Sequence, residues 1–206
     1  MTFGIVISSY KYGHLAAHAI ESVLCQTRKF DKIWFVDDGM GDCEHLFELY
    51  PQIRYTFREQ NLGVVANFNN MLSMVDTDYV MFLGADNWLR PDALELLAKP
   101  KQPDISMYDI IVTGELRAEI QQFYSHWMHR HEGDFYWSRK GAHHGSMLYN
   151  VEMAKKVGGY ENNRTSARTD EDLNLYDKLL KAGATIEHTS EGLLYYRRHN
   201  QNFNKY

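Results

Sequence analysis

The chain has 206 residues, 44% hydrophobic, 14% aromatic and 24% charged, a composition that can bury the core of one domain. Its formal net charge of −5 leaves no basic surplus to neutralise a run of phosphates, which excludes general nucleic-acid binding. No apolar run approaches the roughly 18 residues that cross a bilayer, and Met1 to Tyr10 lacks the basic start of a signal peptide.

Phe3 to Ser9 is a short apolar run ending in Ser-Ser-Tyr and reads as a buried strand. Gly13 to Gln26 carries Leu15, Ala19 and Val23 beside Ala16, Ile20 and Leu24, two rows at helical spacing. Ile33 to Val36 is a second strand, ending at Asp37-Asp38-Gly39. Cys43 to Tyr50 reads as a helix, Ile53 to Phe57 as a strand, and Val64 to Met74 as a helix after the turn Asn61-Leu62-Gly63. Tyr79 to Leu83 is a fourth strand, followed by Gly84-Ala85-Asp86-Asn87, and Pro91 opens a helix running to Ala98. Strand and helix thus alternate four times. This predicts an α/β fold with a mostly parallel sheet sandwiched by helices. Right-handed crossovers bring all strand C-termini to one edge, where such sheets bind ligands.

Lys99 to Asp104, with two prolines and two lysines, marks a boundary between residues 1–100 and 101–206. Beyond it, strands are expected at Met107 to Val112, Ser146 to Tyr149, Thr185 to His188 and Leu193 to Tyr196. Helices are expected at Leu116 to Arg130, at Val151 to Val157, closed by Gly158-Gly159, and at Glu171 to Ala182, ended by Gly183. The two cysteines, Cys25 and Cys43, have no metal-type spacing and are too few for a disulfide framework. They read as reduced thiols of a cytoplasmic protein, with peripheral attachment to a membrane left open.

Four short segments carry chemistry, and each has a plain alternative. Asp37-Asp38-Gly39 is a turn, or a pair of carboxylates for a nucleotide base or ribose. Asp86-Asn87 is a turn, or an oxygen ligand for a hard cation. Thr169-Asp170-Glu171-Asp172 caps a helix, or crowds like charges to make a general base. Tyr195-Tyr196-Arg197-Arg198-His199 is a solvated basic end, or a clamp for a diphosphate with a metal ligand.

In order along the chain, these segments resemble the inverting family 2 glycosyltransferases of the GT-A (nucleotide-diphospho-sugar transferase) fold. The resemblance runs through Ile5-Val6-Ile7-Ser8-Ser9-Tyr10, Ala19 to Thr27, Val36-Asp37-Asp38-Gly39, Asn61-Leu62-Gly63 with Asn67 and Asn69, and Tyr79 to Asn87 with Pro91. It continues in Val157-Gly158-Gly159-Tyr160, Glu171 to Leu175 and Tyr196-Arg197-Arg198-His199. The resemblance implies one GT-A domain over 1–206, with a nucleotide-sugar-binding half (1–100) and an acceptor and catalytic-base half (101–206). It implies an enzyme moving a sugar from a nucleotide-diphosphate donor, a UDP-sugar by preference, to a hydroxyl of a glycan or glycoconjugate acceptor, with Mn²⁺ or Mg²⁺. Ser8, Tyr10 and one or both of Asp37 and Asp38 would hold the uracil and ribose, with Arg58 or Asn61 lining the base pocket. Asp86 would ligate the metal, His199 the metal or diphosphate, and Arg198 the diphosphate; Asp172 would be the base. One departure stands out: Gly84 occupies the place of the first aspartate of the family's Asp-x-Asp.

Trp127, Trp137, Tyr124 and Tyr136 are candidates for stacking on an acceptor sugar, with core packing as the commoner use of such rings. His143 and His144 are equally open. The chain is short for the family and reads as a domain of a longer protein. A dinucleotide-binding G-x-G-x-x-G and a P-loop are both absent. The rival reading is an inactive module of the same fold that binds sugar nucleotides or carbohydrate.

Overall fold

The computed structural model describes residues 1–117, 128–131, 134–137, 147–161 and 171–202. In chain order the first part runs β1 (Phe3–Ser9), α1 (Gly13–Leu24), β2 (Lys32–Asp37), α2 (His45–Leu49), β3 (Arg54–Phe57) and α3 (Val64–Met74). It continues with β4 (Tyr79–Gly84), β5 (Trp88–Leu89), α4 (Ala93–Leu97), β6 (Ile105–Thr113), β7 (Met128–His131) and β8 (Asp134–Trp137). Last come β9 (Met147–Asn150), α5 (Val151–Lys156), α6 (Glu171–Lys181) and β10 (Ile186–Arg197).

The strands form one sheet in the order β3-β2-β1-β4-β9-β6-β10-β5, with β8 added to β6 and β7 to β8. β1 sits between β2 and β4 and is parallel to both. Its side chains alternate between two cores, as the period of 2 in a strand requires. Ile5 and Ile7 face Ala16, Ala19, Ile20 and Val23 of α1 and Leu94 and Leu97 of α4. Val6 faces the other way, with Phe68, Met71 and Leu72 of α3, Ala154 of α5 and Leu175 and Leu179 of α6. Burying a side chain of this size contributes about 1.5–3 kcal/mol. This double burial is why β1 and β4 read as unbroken apolar runs rather than alternating ones.

The α/β sheet expected from the sequence is present, and it includes antiparallel members: β9 runs antiparallel to β4 and β6, and β5 antiparallel to β10. Trp88–Leu89, given no element from the sequence, pair with Tyr195 and Leu194. The two strands expected at Thr185 to His188 and Leu193 to Tyr196 are one, β10, whose pairing with β6 shifts register between Thr189 and Leu194. Met128 to Arg130 is strand β7, not the end of a helix; the rest of that expected helix lies largely outside the described residues. β7 and β8 pair antiparallel, with His131 opposite Asp134. Pro91 precedes α4 rather than opening it. No helix among the described residues is long and apolar enough to cross a membrane.

The stretch Lys99 to Asp104 turns tightly without breaking the sheet. Gln102 Oε1 accepts from Lys99 N at 2.8 Å, and its Nε2 donates to Ser106 Oγ at 2.9 Å. A second clasp joins α3 to the segment after α5. Asn69 Nδ2 donates to Tyr160 O and Asn69 Oδ1 accepts from Tyr160 N, both at 2.8 Å. Gly159, at φ +65, makes room for it, since a Cβ there would stand 2.3 Å from Asn69 Oδ1. Asn69→Ala therefore strips two partners from buried backbone, at a cost of about 2 kcal/mol. We expect its thermal midpoint, read by calorimetry, to fall by about 4–8 °C, at 2–4 °C per kcal/mol for a chain of this size.

Candidate active site

The ladders between β1 and its neighbours put the chemistry-bearing ends in register. Ser9 pairs with Asp37 across β1 and β2, and Ser8 pairs with Gly84 across β1 and β4. The loops after β1, β2 and β4 therefore open at the same edge, as the alternating pattern predicts. Beyond Ser9 the chain passes through Lys11 at φ 68, the sole non-glycine with positive φ among the described residues. Tyr10 is 38% exposed at this edge, with the Lys11 ammonium 4.9 Å from its ring centre.

Asp38 is the hub of a buried polar network. Its Oδ1 accepts from Arg58 Nη1 at 2.6 Å and its Oδ2 from Asn61 Nδ2 at 3.0 Å. The side chains of Arg58 and Asp38 are 9% and 3% exposed. The guanidinium also donates to Asn67 Oδ1 and, at 2.6 Å, to Asn70 Oδ1, while Asn67 Nδ2 donates to Ser8 Oγ at 3.1 Å. Ser8, Asp38, Arg58 and Asn61 are thus one connected set, with Asn67 as a link that sequence reasoning placed in the family pattern without a role. Asp37 is differently placed. Its Oδ1 accepts from Met40 N at 3.0 Å, while its Oδ2 is buried without a hydrogen-bond partner. A buried carboxylate oxygen with no donor is costly, and suits a site that receives an N–H or O–H from a ligand.

Asp37 also lies with Asp42 and Cys43 in a group whose ligand-type atoms fall within 4.8 Å of one another. Two members of this group serve the fold. Asp42 Oδ2 accepts from Gly13 N at 3.0 Å at the start of α1, where a negative charge is favourable. Cys43 Sγ donates to Ser9 Oγ at 3.3 Å, and burial pushes its thiol far up, so it stays protonated. Both cysteines are free thiols.

The second cluster is built on Asp86, which is 6% exposed. Its Oδ2 meets His199 Nε2 at 3.2 Å and accepts from Asn202 Nδ2 at 3.0 Å. Asn202 Oδ1 accepts in turn from Arg198 Nη1 at 3.0 Å and from His199 N at 2.7 Å. Asn87 Oδ1 accepts from Arg197 N at 2.9 Å, tying the end of β10 to the loop after β4. Arg198 is 2% exposed, so it is no solvated basic end. Gly84 leaves open the space that Asp86 uses: a Cβ at residue 84 would stand 2.8 Å from Asp86 Oδ1 and 2.9 Å from Asn87 Nδ2. The 3.2 Å between Asp86 Oδ2 and His199 Nε2 is a hydrogen-bond distance, and it is also compatible with two ligands of one cation. Ligands on neighbouring corners of an octahedron with bonds of about 2.1 Å lie about 3 Å apart, and the observed separation is 3.2 Å. A carboxylate donor suits Mg²⁺ or Mn²⁺, and oxygens of a diphosphate complete the shell in sites that lack a protein cage.

Beside this cluster Trp88 stacks on Tyr195 at 5.1 Å and on His18 at 4.5 Å, and the Arg197 guanidinium lies 4.9 Å from the Trp88 ring centre. Arg197 Nη2 also meets His18 Nδ1 at 3.1 Å, and burial followed by the Arg197 charge holds the imidazole below its ordinary value. Arg197 is thereby committed to the flank of the site.

Asp172, 7% exposed, sits with Glu171 in the first turn of α6, and its Oδ1 accepts from Leu173 N at 2.9 Å. Below lies Tyr160, whose hydroxyl bonds to that of Tyr149 at 2.8 Å. Burial first, then Tyr149, then the charges of Asp172 and Glu171 push the Tyr160 hydroxyl well above its ordinary value, so it stays neutral. Asp170, Tyr124, Trp127, His143 and His144 lie outside the described residues, and Tyr136 and Trp137 fall on β8.

Strand order 3-2-1-4 followed by a mixed extension, with carboxylates at the strand ends, defines a GT-A-type fold. The chain belongs to glycosyl transferase family 2, whose profile matches residues 4–158. Among solved structures it is similar to S. aureus TarS 1–349 in complex with UDP-GlcNAc, with a TM-score of 0.72 and 15% identity, over 98% of this chain and 60% of that one. The complex of the same protein with UDP gives 0.70 and 16%, over 96% and 61%. Among curated proteins it is 25% identical over 159 residues to the glycosyltransferase GlyA of Streptococcus pneumoniae serotype 4, covering 74% of this chain and 21% of that one. It is 25% identical over 115 residues to an Escherichia coli chondroitin synthase, covering 53% and 17%. The chain thus spans only 21% and 17% of the length of these two relatives.

The buried Arg58–Asp38 pair yields a test. Arg58→Met removes the cation and leaves Asp38 and two amides without it, a change that costs about 3–5 kcal/mol when a buried pair is broken. Arg58→Lys does not restore the loss, because an ammonium lacks the fork that reaches Asp38, Asn67 and Asn70 together. Urea denaturation of the two variants is expected to show a lowered midpoint in both, larger for methionine.

Proposed function

We propose that this chain transfers a sugar from a UDP-sugar to a hydroxyl of a glycan or glycoconjugate, with inversion and with help from Mn²⁺ or Mg²⁺. The observation that carries the reading is the meeting at one sheet edge of two preformed polar clusters. One, around Asp37 and Asp38, is suited to a base and ribose; the other, around Asp86, His199 and Arg198, is suited to a metal-bound diphosphate. Family membership supplies the reaction class, and the TarS complexes, which hold UDP-GlcNAc and UDP in the same fold, favour uracil as the base.

Each residue then has a task. Asp37 Oδ2 is the buried acceptor that a base or ribose hydrogen can satisfy, with Ser8 and Tyr10 beside it. Asp38 already receives Arg58 and Asn61, and those three set the shape of the pocket. Asp86 and His199 would hold the cation, which when bound supplies Lewis-acid stabilisation of the leaving diphosphate. Arg198 adds fixed positive charge at the same place. Asp172 takes the proton from the acceptor hydroxyl as that oxygen attacks the anomeric carbon from the face opposite the leaving group. A single base without an enzyme nucleophile inverts the configuration, whereas retention by double displacement needs a second carboxylate at that carbon. Residues 1–100 carry most of the donor side, joined by Arg198 and His199 at the diphosphate, and 101–206 carry the base and the acceptor side, in the cytoplasm. Gly84 alone favours the second reading, an inactive module that binds the donor without transfer.

Asp172→Asn is expected to lower kcat about 10²–10⁴-fold, the usual worth of a general base, with UDP affinity unchanged. Release of UDP from a panel of UDP-sugars with mixed glycan acceptors, beside UDP titration by calorimetry, checks both. Wild-type turnover in the variant removes Asp172 from the mechanism. UDP binding without turnover in the parent chain, over the whole acceptor panel, favours the inactive module.

A further inference from the structure

We infer that Asn202 is a positioning residue of the diphosphate and metal site, holding Asp86 in the orientation that ligation needs. The inference rests on the donor-site reading above. The side chain is 6% exposed, and all four of its hydrogen-bonding positions are engaged. Nδ2 donates to Asp86 Oδ2 and to Arg197 O, both at 3.0 Å. Oδ1 accepts from Arg198 Nη1 at 3.0 Å and from His199 N at 2.7 Å. One amide therefore bonds to the carboxylate, the buried guanidinium and the backbone of the histidine at once. No other side chain of this size carries two donors and two acceptors in one plane.

The need for it follows from Gly84. Asp86 works without a second carboxylate at residue 84, and its Oδ1 lies 2.8 Å from where a Cβ of that residue would be. Among the described residues, the hydrogen bonds given to the Asp86 side chain come from the β10 side. Two groups reach Oδ2 there, His199 Nε2 and Asn202 Nδ2. A ring nitrogen cannot donate to Asp86 and ligate a cation at the same time. The bond from Asn202 suffers no such conflict, because a carboxylate oxygen that holds a cation still accepts from an amide. Partners of this kind orient metal ligands and keep them basic. Asn202 also spans from Asp86, in the first half of the chain, to the end of β10, so the two halves of the site share one reference point.

The test uses the whole 206-residue chain. Mn²⁺ binding is read by electron paramagnetic resonance, and UDP binding by calorimetry with Mn²⁺ and with chelator. Asn202→Ala is expected to weaken Mn²⁺ binding in the presence of UDP about 10–100-fold, the usual cost of losing a group that orients a metal ligand. UDP affinity in chelator is expected to fall less than UDP affinity with Mn²⁺, because only the metal-dependent part runs through Asp86. Asn202→Ser, which keeps a hydroxyl in the buried site, is expected to fall between the two and guards against a misfolded alanine variant. Asp86→Ala is the reference. If Asp86→Ala leaves Mn²⁺ binding intact, the metal-site reading fails and Asn202 falls with it. If Asp86→Ala abolishes it while both Asn202 variants bind Mn²⁺ like the parent, or lose only thermal stability, the site stands and the role of Asn202 is overturned.

Discussion

The hydrogen-bond ladder that holds β1 between β2 and β4 is the constraint on which the site depends. A parallel pair fixes register along its whole length, and a slip by one residue would turn every side chain of β1 to the wrong core. With Ile5 and Ile7 committed to one face and Val6 to the other, the slip is closed off. The ends of three strands are then locked level, so Ser8, Asp37 and Gly84 arrive together without any loop having to seek the others. Polar groups buried at this edge are kept in reach of one another by the register of the ladder below them.

What lies on the ladder is a set of carboxylates connected by amides. Asn61 and Asn67 link Asp38, Arg58 and Ser8; Asn87 ties the loop after β4 to β10; Asn202 ties Asp86 to Arg198 and His199. An amide gives and accepts in the same plane, so it can join an acid to a base at no cost in net charge. This matters at an edge where each unpaired polar group is expensive and each extra charge more so. The arrangement is also asymmetric. Asp38 is saturated by its own chain, whereas Asp37 keeps a buried oxygen open.

Much of this was legible in the residues themselves. The runs at Phe3 to Ser9 and Val64 to Met74 have the bounds of β1 and α3, because double burial and helical spacing both leave an unambiguous period. The acidic ends of β2 and β4 were visible as carboxylates beside glycines after apolar runs. The parts that were not legible share a cause: they are made by partners distant in sequence. Trp88–Leu89 has no strand character of its own and extends only because Leu194 and Tyr195 lie alongside. Met128 to Arg130, read as the end of a helix, takes strand form against β8. Asn202 was invisible for a related reason. An asparagine near a chain end is a turn residue by every local measure, and only the position of Asp86, far upstream, gives it work. Charged residues announce themselves in a sequence, whereas the neutral residues that aim them do not.

Gly84 has a consequence for how this chain can change. With no side chain at that point, Asp86 and Asn87 occupy the space, and Asn87 is the acceptor for Arg197 N. A carboxylate reintroduced at 84 would not slot into a waiting place; both neighbours would have to turn, and the bond to β10 would be strained first. The atoms in the way are ends of flexible side chains, so the space can be reopened, but only if Asp86 and Asn87 move together. A side chain at 84 therefore cannot be judged alone: its effect depends on what stands at 86 and 87, and through Asp86 on Asn202.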